Sequence, residues 1–99
     1  MKGSHGMIIW DEEKNQKLQA ERGISFEQIA EIILRKEYLD ILDNKSRPDQ
    51  QIFVIKLNNY IYAVPFIIDV QKNIILKTVF PSRKLYKKYI GWSYEAKVR

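Results

Sequence analysis

The sequence predicts a small α+β domain with two N-terminal helices, an antiparallel sheet and a basic C-terminal helix. Three observations predict it. The 99 residues suffice for one domain with a modest core. Hydrophobic residues make up 45% and charged residues 29%, a globular balance that disordered chains lack. Helical spacing occupies the first third of the chain and short β-rich runs with turn signals follow it, a segregation that marks α+β.

Each element has a local reason. Met1 to Gly6, MKGSHG, reads as an expression scar, which leaves a single domain over residues 7–92 and a loose tail at 93–99. Met7-Ile8-Ile9-Trp10 predicts a first strand. Asp11 suits a helix N-cap, and Glu12 and Glu13 favour the positive end of the helix dipole. That helix is largely polar, with Leu18 its main apolar contact, and Gly23 can take the left-handed turn that ends it. Ser25 and Gln28 have capping-box spacing. Phe26, Ile29, Ala30, Ile33 and Leu34 then follow at helical spacing, predicting a second helix to about Lys36 that docks on a sheet.

From Tyr38 the period changes. Tyr38 to Asp43 predicts a short strand, Asn44 to Gln50 with Pro48 a loop, and Ile52 to Leu57 another strand. Asn58-Asn59 can supply the positive φ angles of a tight hairpin. Tyr60 to Ile68 is apolar on both faces, as a central strand should be, and Pro65 within it marks a bulge or a local edge. Asp69 to Asn73 predicts a turn and Ile74 to Phe80 a last strand. Ser82 can cap a final helix over Arg83 to Ile90, which Gly91 ends.

Composition excludes several chemistries. There is no cysteine, and the one histidine, His5, lies in the scar, so a disulfide framework, thiol catalysis and a Cys/His zinc site are excluded. No apolar run approaches the roughly 18 residues a membrane span requires. Residues 1–70 carry nine Lys/Arg against eleven Asp/Glu, whereas residues 71–99 carry eight against one. A basic C-terminal third on a slightly acidic body has two readings, a polyanion-binding face or a solvated lysine-rich helix.

The strongest local feature is Pro81-Ser82-Arg83-Lys84, where a strand gives way to a helix. Arg83 offers a planar fork that matches two phosphate oxygens. Lys84, Lys87 and Lys88 extend the positive surface, Lys77 leads into it, and Tyr86 and Tyr89 are interleaved. Basic residues mixed with aromatics suit single-stranded RNA, although inward packing is the better explanation of the tyrosines. RNA can be cut without a metal when its own 2′-hydroxyl attacks the adjacent phosphate. That reaction needs proton transfer, for which Lys77, Lys84 and the tyrosines are candidates, and charge stabilisation, for which Arg83 is the candidate. Without a native histidine the usual near-neutral base is missing, so the expected nuclease is slow. Asp11-Glu12-Glu13 is better explained as cap and dipole residues than as a metal site, and Asp40, Asp43 and Asp49 are too scattered to form one. No phosphate-binding glycine loop or nucleophile elbow is present.

Trp10-Asp11-Glu12-Glu13-Lys14 and Arg22-Gly23-Ile24-Ser25-Phe26-Glu27 resemble the opening motif of the BrnT toxin family, a W-D-x-x-K start followed by a K-H-G-[VI]-S-F-E turn. Ser82-Arg83-Lys84 and Tyr89 fall where that family has its terminal S/A-R-[RK] segment. The family's turn histidine is Arg22 here, preceded by Glu21. The resemblance spans about residues 7–90. It implies a RelE-like fold and the toxin of a type II toxin–antitoxin system, a metal-independent endoribonuclease that needs no cofactor, cleaves mRNA and inhibits translation in the cytoplasm. It also implies neutralisation by a cognate antitoxin of ribbon-helix-helix type. Arg83, Lys84 and Lys77 become the catalytic candidates, and Lys87, Lys88, Tyr86, Tyr89 and Arg22 the RNA-binding ones. Two alternatives remain, a non-catalytic nucleic-acid-binding module and a ParE-like toxin acting on a protein. The apolar strands carrying Phe53, Tyr60, Tyr62 and Phe66 offer a surface for an antitoxin segment, unless self-packing or a homodimer covers it.

Overall fold

Asp11 and Ser25 start the two helices as the sequence predicts. The structure is a computed structural model and describes residues 7–91, so the presumed scar and the tail lie outside the described residues. Asp11 accepts hydrogen bonds from the backbone N–H of Glu13 and Lys14 at the head of α1 (Glu12–Arg22), and Gly23, at φ 70°, closes it. Ser25 and Gln28 form the reciprocal capping box that opens α2 (Phe26–Leu34). The helix ends two residues short of the predicted Lys36. Lys36 lies at φ 57°, its N–H donates to Ile33 O and the Glu37 N–H donates to Ile32 O. This closure normally takes glycine at the left-handed position. A lysine there carries the steric cost of that conformation, so Lys36→Gly should raise stability by about 0.5–1 kcal/mol. Denaturant titration would show it as a higher midpoint, and an unchanged or lower midpoint would contradict the assignment.

The strands are β1 (Ile8–Ile9), β2 (Asp40–Asp43), β3 (Gln51–Leu57), β4 (Tyr60–Ile68), β5 (Ile74–Leu76) and β6 (Phe80–Pro81). They form one sheet in the order β1-β5-β4-β3-β2, with β6 also paired to β4. Asn58 and Asn59, at φ 52° and 62°, make the predicted hairpin between β3 and β4. The sheet is antiparallel except at one edge, where β1 runs parallel to β5. The α+β class therefore stands, with a mixed rather than purely antiparallel sheet.

The predicted last strand, Ile74 to Phe80, is divided into β5 and β6. Leu76 pairs with Phe66 and Phe80 with Ala63, so four steps along this chain match three along β4. One extra residue has been inserted, which is the definition of a bulge. Pro65 sits at this junction. Its carbonyl accepts from the Lys77 N–H at 2.8 Å. The N–H and C=O of one strand residue point to the same neighbour, so the donor that proline lacks faces the bulge and costs the β3 ladder nothing. Of the two readings of Pro65, a bulge or a local edge, the structure shows the bulge, carried by the chain that faces it.

One face of the sheet, with Phe53, Ile55, Tyr62, Val64, Phe66 and Leu76, packs against Leu18 of α1, Ile24, and Phe26, Ile29 and Ile33 of α2. Phe53 stacks on Phe66 with centroids 4.1 Å apart. Phe53, Tyr62 and Phe66 are thus buried by the chain itself, and the expectation that they offer a partner surface is corrected: the two helices cover them. Asn15, 0% exposed, ties the helices together. Its Oδ1 accepts from the Phe26 N–H at 2.8 Å and its Nδ2 donates to Glu27 Oε1 at 2.8 Å, a bond that holds the Glu27 carboxyl below its usual range.

The opposite face buries Val54, Ile61 and Ala63. Ser82 caps the final helix, as predicted, by accepting from the Leu85 N–H. The helix is α-helical over α3 (Arg83–Tyr86) and then continues as a π-helical turn over Lys87–Gly91. Contacts of α3 with β4 and of Tyr89 with Asp40 of β2 lay this segment across the face toward the sheet edge.

Candidate functional site

Beside that segment, on the same face, the sheet is left open. A groove of about 500 Å³ is lined by Lys14, Asn44, Ser46, Arg47, Gln50, Ile52, Pro65, Lys77, Thr78 and Phe80. Its floor is the cross-strand pair Ile52 and Pro65. One wall is the loop between β2 and β3, which its own bonds hold in shape. Asn44 Oδ1 accepts from the N–H groups of Ser46 and Arg47, and Asn44 Nδ2 donates to Gln50 Oε1 at 3.3 Å. The Gln50 N–H donates to Arg47 O at 2.9 Å. This Asx turn fixes the backbone that carries Arg47.

The other wall is the bulge. The Lys77 backbone is held on both sides, its N–H by Pro65 O and its carbonyl by Lys14 Nζ at 2.8 Å. Three cations therefore line the groove and no carboxylate does. Among the described residues the one ion pair is Arg35 with Glu31, so Lys14, Arg47 and Lys77 keep their charge for a ligand. Clustered cations on a groove with apolar floor and amide-bearing rim attract a phosphate backbone. A neighbouring depression of about 300 Å³ shares Lys14 and Thr78 but includes Glu21 and opens onto the core residues Leu18 and Phe26. Its acid and its core floor make it the poorer anion site.

The structure brings together only part of the predicted set. Lys77 lines the groove; Arg83, Lys84, Lys87 and Lys88 do not. These four are exposed along α3 and the π turn, a flank rather than a wall. Tyr86 stacks on Tyr60, with centroids 4.9 Å apart. Tyr89 donates its hydroxyl to Asp40 Oδ2 at 2.7 Å, and Lys88 Nζ lies 5.4 Å from the Tyr89 ring centre. Both tyrosines are thus engaged in packing. Arg22 is exposed in the last turn of α1, a helix packed on the other face, and lines neither depression. Sequence reasoning missed Arg47 and Phe80 as site residues and gave Lys14 no role beyond its place in the opening motif. Among the described residues no three Asp, Glu, His or Cys side chains group as metal ligands.

The Tyr89 phenol is pushed up to about 12, first by its bond to Asp40, then by burial and the Asp40 charge. Asp40 is held below its usual range, first by the Tyr89 hydroxyl, then by the Ile41 N–H and the charge of Lys88. The raised phenol stabilises the contact below the ordinary tyrosine range and loses that effect as pH rises through about 12. The lowered carboxylate contributes above its ordinary range and loses its effect as pH falls through the lowered value. The contact is therefore constant at neutral pH, and Tyr89 is a poor proton donor there. In an alkaline absorbance titration the native protein should show a tyrosine step near pH 12; Tyr89→Phe should remove that step and Asp40→Asn should lower it. An alkaline profile that Tyr89→Phe leaves unchanged would contradict the contact.

The crystal structure of the Brucella abortus ribonuclease toxin BrnT superimposes on this chain with a TM-score of 0.57, covering 78% of this chain and 96% of that one at 22% sequence identity. The fold is the BrnT fold. A comparison with family models and one with curated proteins returned no match. Near-complete coverage of BrnT means that its whole architecture is represented here. In this BrnT-like fold the groove sits between the β2–β3 loop and the β5–β6 bulge, with the basic helix beside it.

Proposed function

We propose that this protein is a ribonuclease toxin that cleaves mRNA without a metal, inhibits translation and is neutralised by an antitoxin. The observation that carries the reading is a groove with three cations and no acid on the fold of a ribonuclease toxin. RNA would lie with its phosphates toward Arg47, Lys77 and Lys14, and Arg83 and Lys84 would extend the track along α3. The 2′-hydroxyl gives its proton to water as its oxygen attacks phosphorus, the bond to the 5′-oxygen breaks to leave a 2′,3′-cyclic phosphate, and the 5′-oxygen takes a proton from water. Arg47 and Lys77 oppose the charge that builds on the phosphorane. The groove offers no carboxylate or imidazole as base, so turnover would be slow.

The test is RNA integrity in bacteria after pulsed induction of residues 7–99, beside Arg47→Ala/Lys77→Ala and Arg83→Ala. Growth arrest with fragmented mRNA, lost in the groove variant, supports the reading. Arrest with intact RNA points to a protein target, as for a ParE-like toxin. The lack of a groove base favours a second reading, binding without cleavage, which predicts salt-sensitive RNA binding and no cut product.

For the antitoxin the support is apolar surface at one sheet edge. Ile41 is exposed on the edge strand β2 and Leu39 just before it, and the exposed Ile68 lines a depression together with Ile41. A partner there would slow hydrogen exchange over residues 39–43; exchange unaltered by a co-purified antitoxin would count against this surface. No helix among the described residues is long and apolar enough to cross a membrane, and an mRNA target would place the protein in the cytoplasm.

A further inference from the structure

We infer that Phe80 is a base-stacking residue, the element of the groove that holds a single-stranded RNA base rather than a phosphate. The inference rests on the RNA reading above and deepens it. An uninterrupted strand from Leu76 would have placed Phe80 on the same face as Leu76, in the core, because side chains two and four positions apart share a face. The inserted residue reverses that. Phe80 pairs with Ala63, whose face is the groove face, and Phe80 is 44% exposed. A phenylalanine ring at that exposure forgoes much of its burial energy, so the bulge moves a natural core residue out to a wet surface. It arrives among ligand-binding groups: Lys77 and Thr78 precede it on the same wall, and Arg47 and Gln50 face it from the other.

The occupant follows from that company. A lone exposed aromatic would accept any apolar ligand, but this one is ringed by cations with no acid among the lining residues. A chain that alternates planar bases with negative phosphates meets both demands at once. The strand must be single, since a duplex hides the faces of its bases. Gln50 accepts from Asn44 through its Oε1, which leaves its amide nitrogen available to a base edge. Stacking tolerates any base, so Phe80 sets where a nucleotide sits in the groove and the wall opposite can bias which nucleotide is preferred.

The experiment measures binding of an uncleavable 2′-O-methyl RNA hexanucleotide, and of an abasic chain with the same phosphates, by fluorescence anisotropy. Phe80→Leu keeps apolar volume and removes the π face. It should weaken hexanucleotide binding roughly five- to hundredfold, the effect of one lost base–aromatic stack. The salt dependence should not change, since no phosphate contact is lost. Phe80→Trp should restore affinity, and the abasic chain should bind native protein and Phe80→Leu alike. Equal affinity of Phe80→Leu and native protein for the hexanucleotide overturns the inference, as does an equal loss for the abasic chain. If native protein binds neither chain, the RNA reading falls and this inference with it. Native protein that binds the 2′-O-methyl chain yet leaves the unmodified RNA hexanucleotide uncut removes the ribonuclease activity and leaves the stacking role standing.

Discussion

Removing the groove cations, in Arg47→Ala/Lys77→Ala, should abolish RNA cleavage and lower the salt dependence of RNA binding by about 1.4 in log–log slope, two single-strand phosphate contacts at roughly 0.7 each. The fold should survive. Lys77 makes its structural bonds through its backbone, and Arg47 through backbone N–H and C=O groups in the Asn44 turn. Alanine keeps all of these, so stability should stay within about 0.5 kcal/mol, as for surface substitutions generally. Lys87→Ala/Lys88→Ala is the matched control, because those residues lie on the flanking helix and line no part of the groove. It should reduce the slope comparably if RNA tracks along the helix, yet leave cleavage in place. Cleavage that survives in the groove variant and disappears in the helix variant would move the reacting phosphate to α3, where the sequence alone had placed it.

The largest loss of stability should come from Asn15→Leu. Asn15 is 0% exposed, and its side chain satisfies the first backbone N–H of α2 while bonding the Glu27 carboxylate. Leucine fills the volume but leaves the Phe26 N–H without a partner inside the protein. An unsatisfied buried donor together with the lost charge-assisted bond should cost about 2–4 kcal/mol. For a domain of this size that lowers Tm by roughly 10–25 °C. Asn15→Asp makes a sharper test. Its carboxylate can still accept from Phe26 but then faces Glu27. The like charges raise both groups, so stability should be poor at neutral pH and partly recover as either carboxyl is protonated below its raised value. A thermal scan of Asn15→Leu within a few degrees of native would show that water replaces the amide without cost.

The features legible in the sequence were the ones built from neighbours in the chain. Asp11, Ser25 with Gln28, Asn58-Asn59 and Ser82 each satisfy backbone groups within a few residues, so their chemistry announces the turn or cap they make. The groove is assembled differently. Arg47 reaches it from a loop, Lys77 and Phe80 from the far end of the chain, and Lys14 from α1, and no local pattern joins them. Pro65 signalled a bulge or a local edge, but not that the neighbouring chain would carry the extra residue. Ile74 to Phe80 reads as one strand, and only pairing with Phe66 at one end and Ala63 at the other reveals the extra residue. Asn15 was missed because a polar residue in a polar helix carries no sign of burial. The basic C-terminal segment was legible as charge because its residues cluster along the chain, whereas Arg47, Lys77 and Lys14 meet only across it.

The parallel pairing of β1 with β5 bears on the order in which the molecule is assembled. Met7 and Asn73, 66 positions apart, must meet before Ile8 and Ile9 find their partners. Closing a loop of that length costs about 4 kcal/mol in chain entropy by the logarithmic rule, and a strand of two residues returns little of it. Ile8 and Ile9 therefore have to wait for Ile74 and Ile75 before they can join the sheet. Until then the sheet margin at β5 stays uncovered, next to the stretch that shapes the groove. Native contact order of this kind slows maturation, and it makes the amino-terminal strand the first part to detach when the protein breathes. The groove draws on residues from Lys14 to Phe80, so it too is complete only once those distant stretches have met.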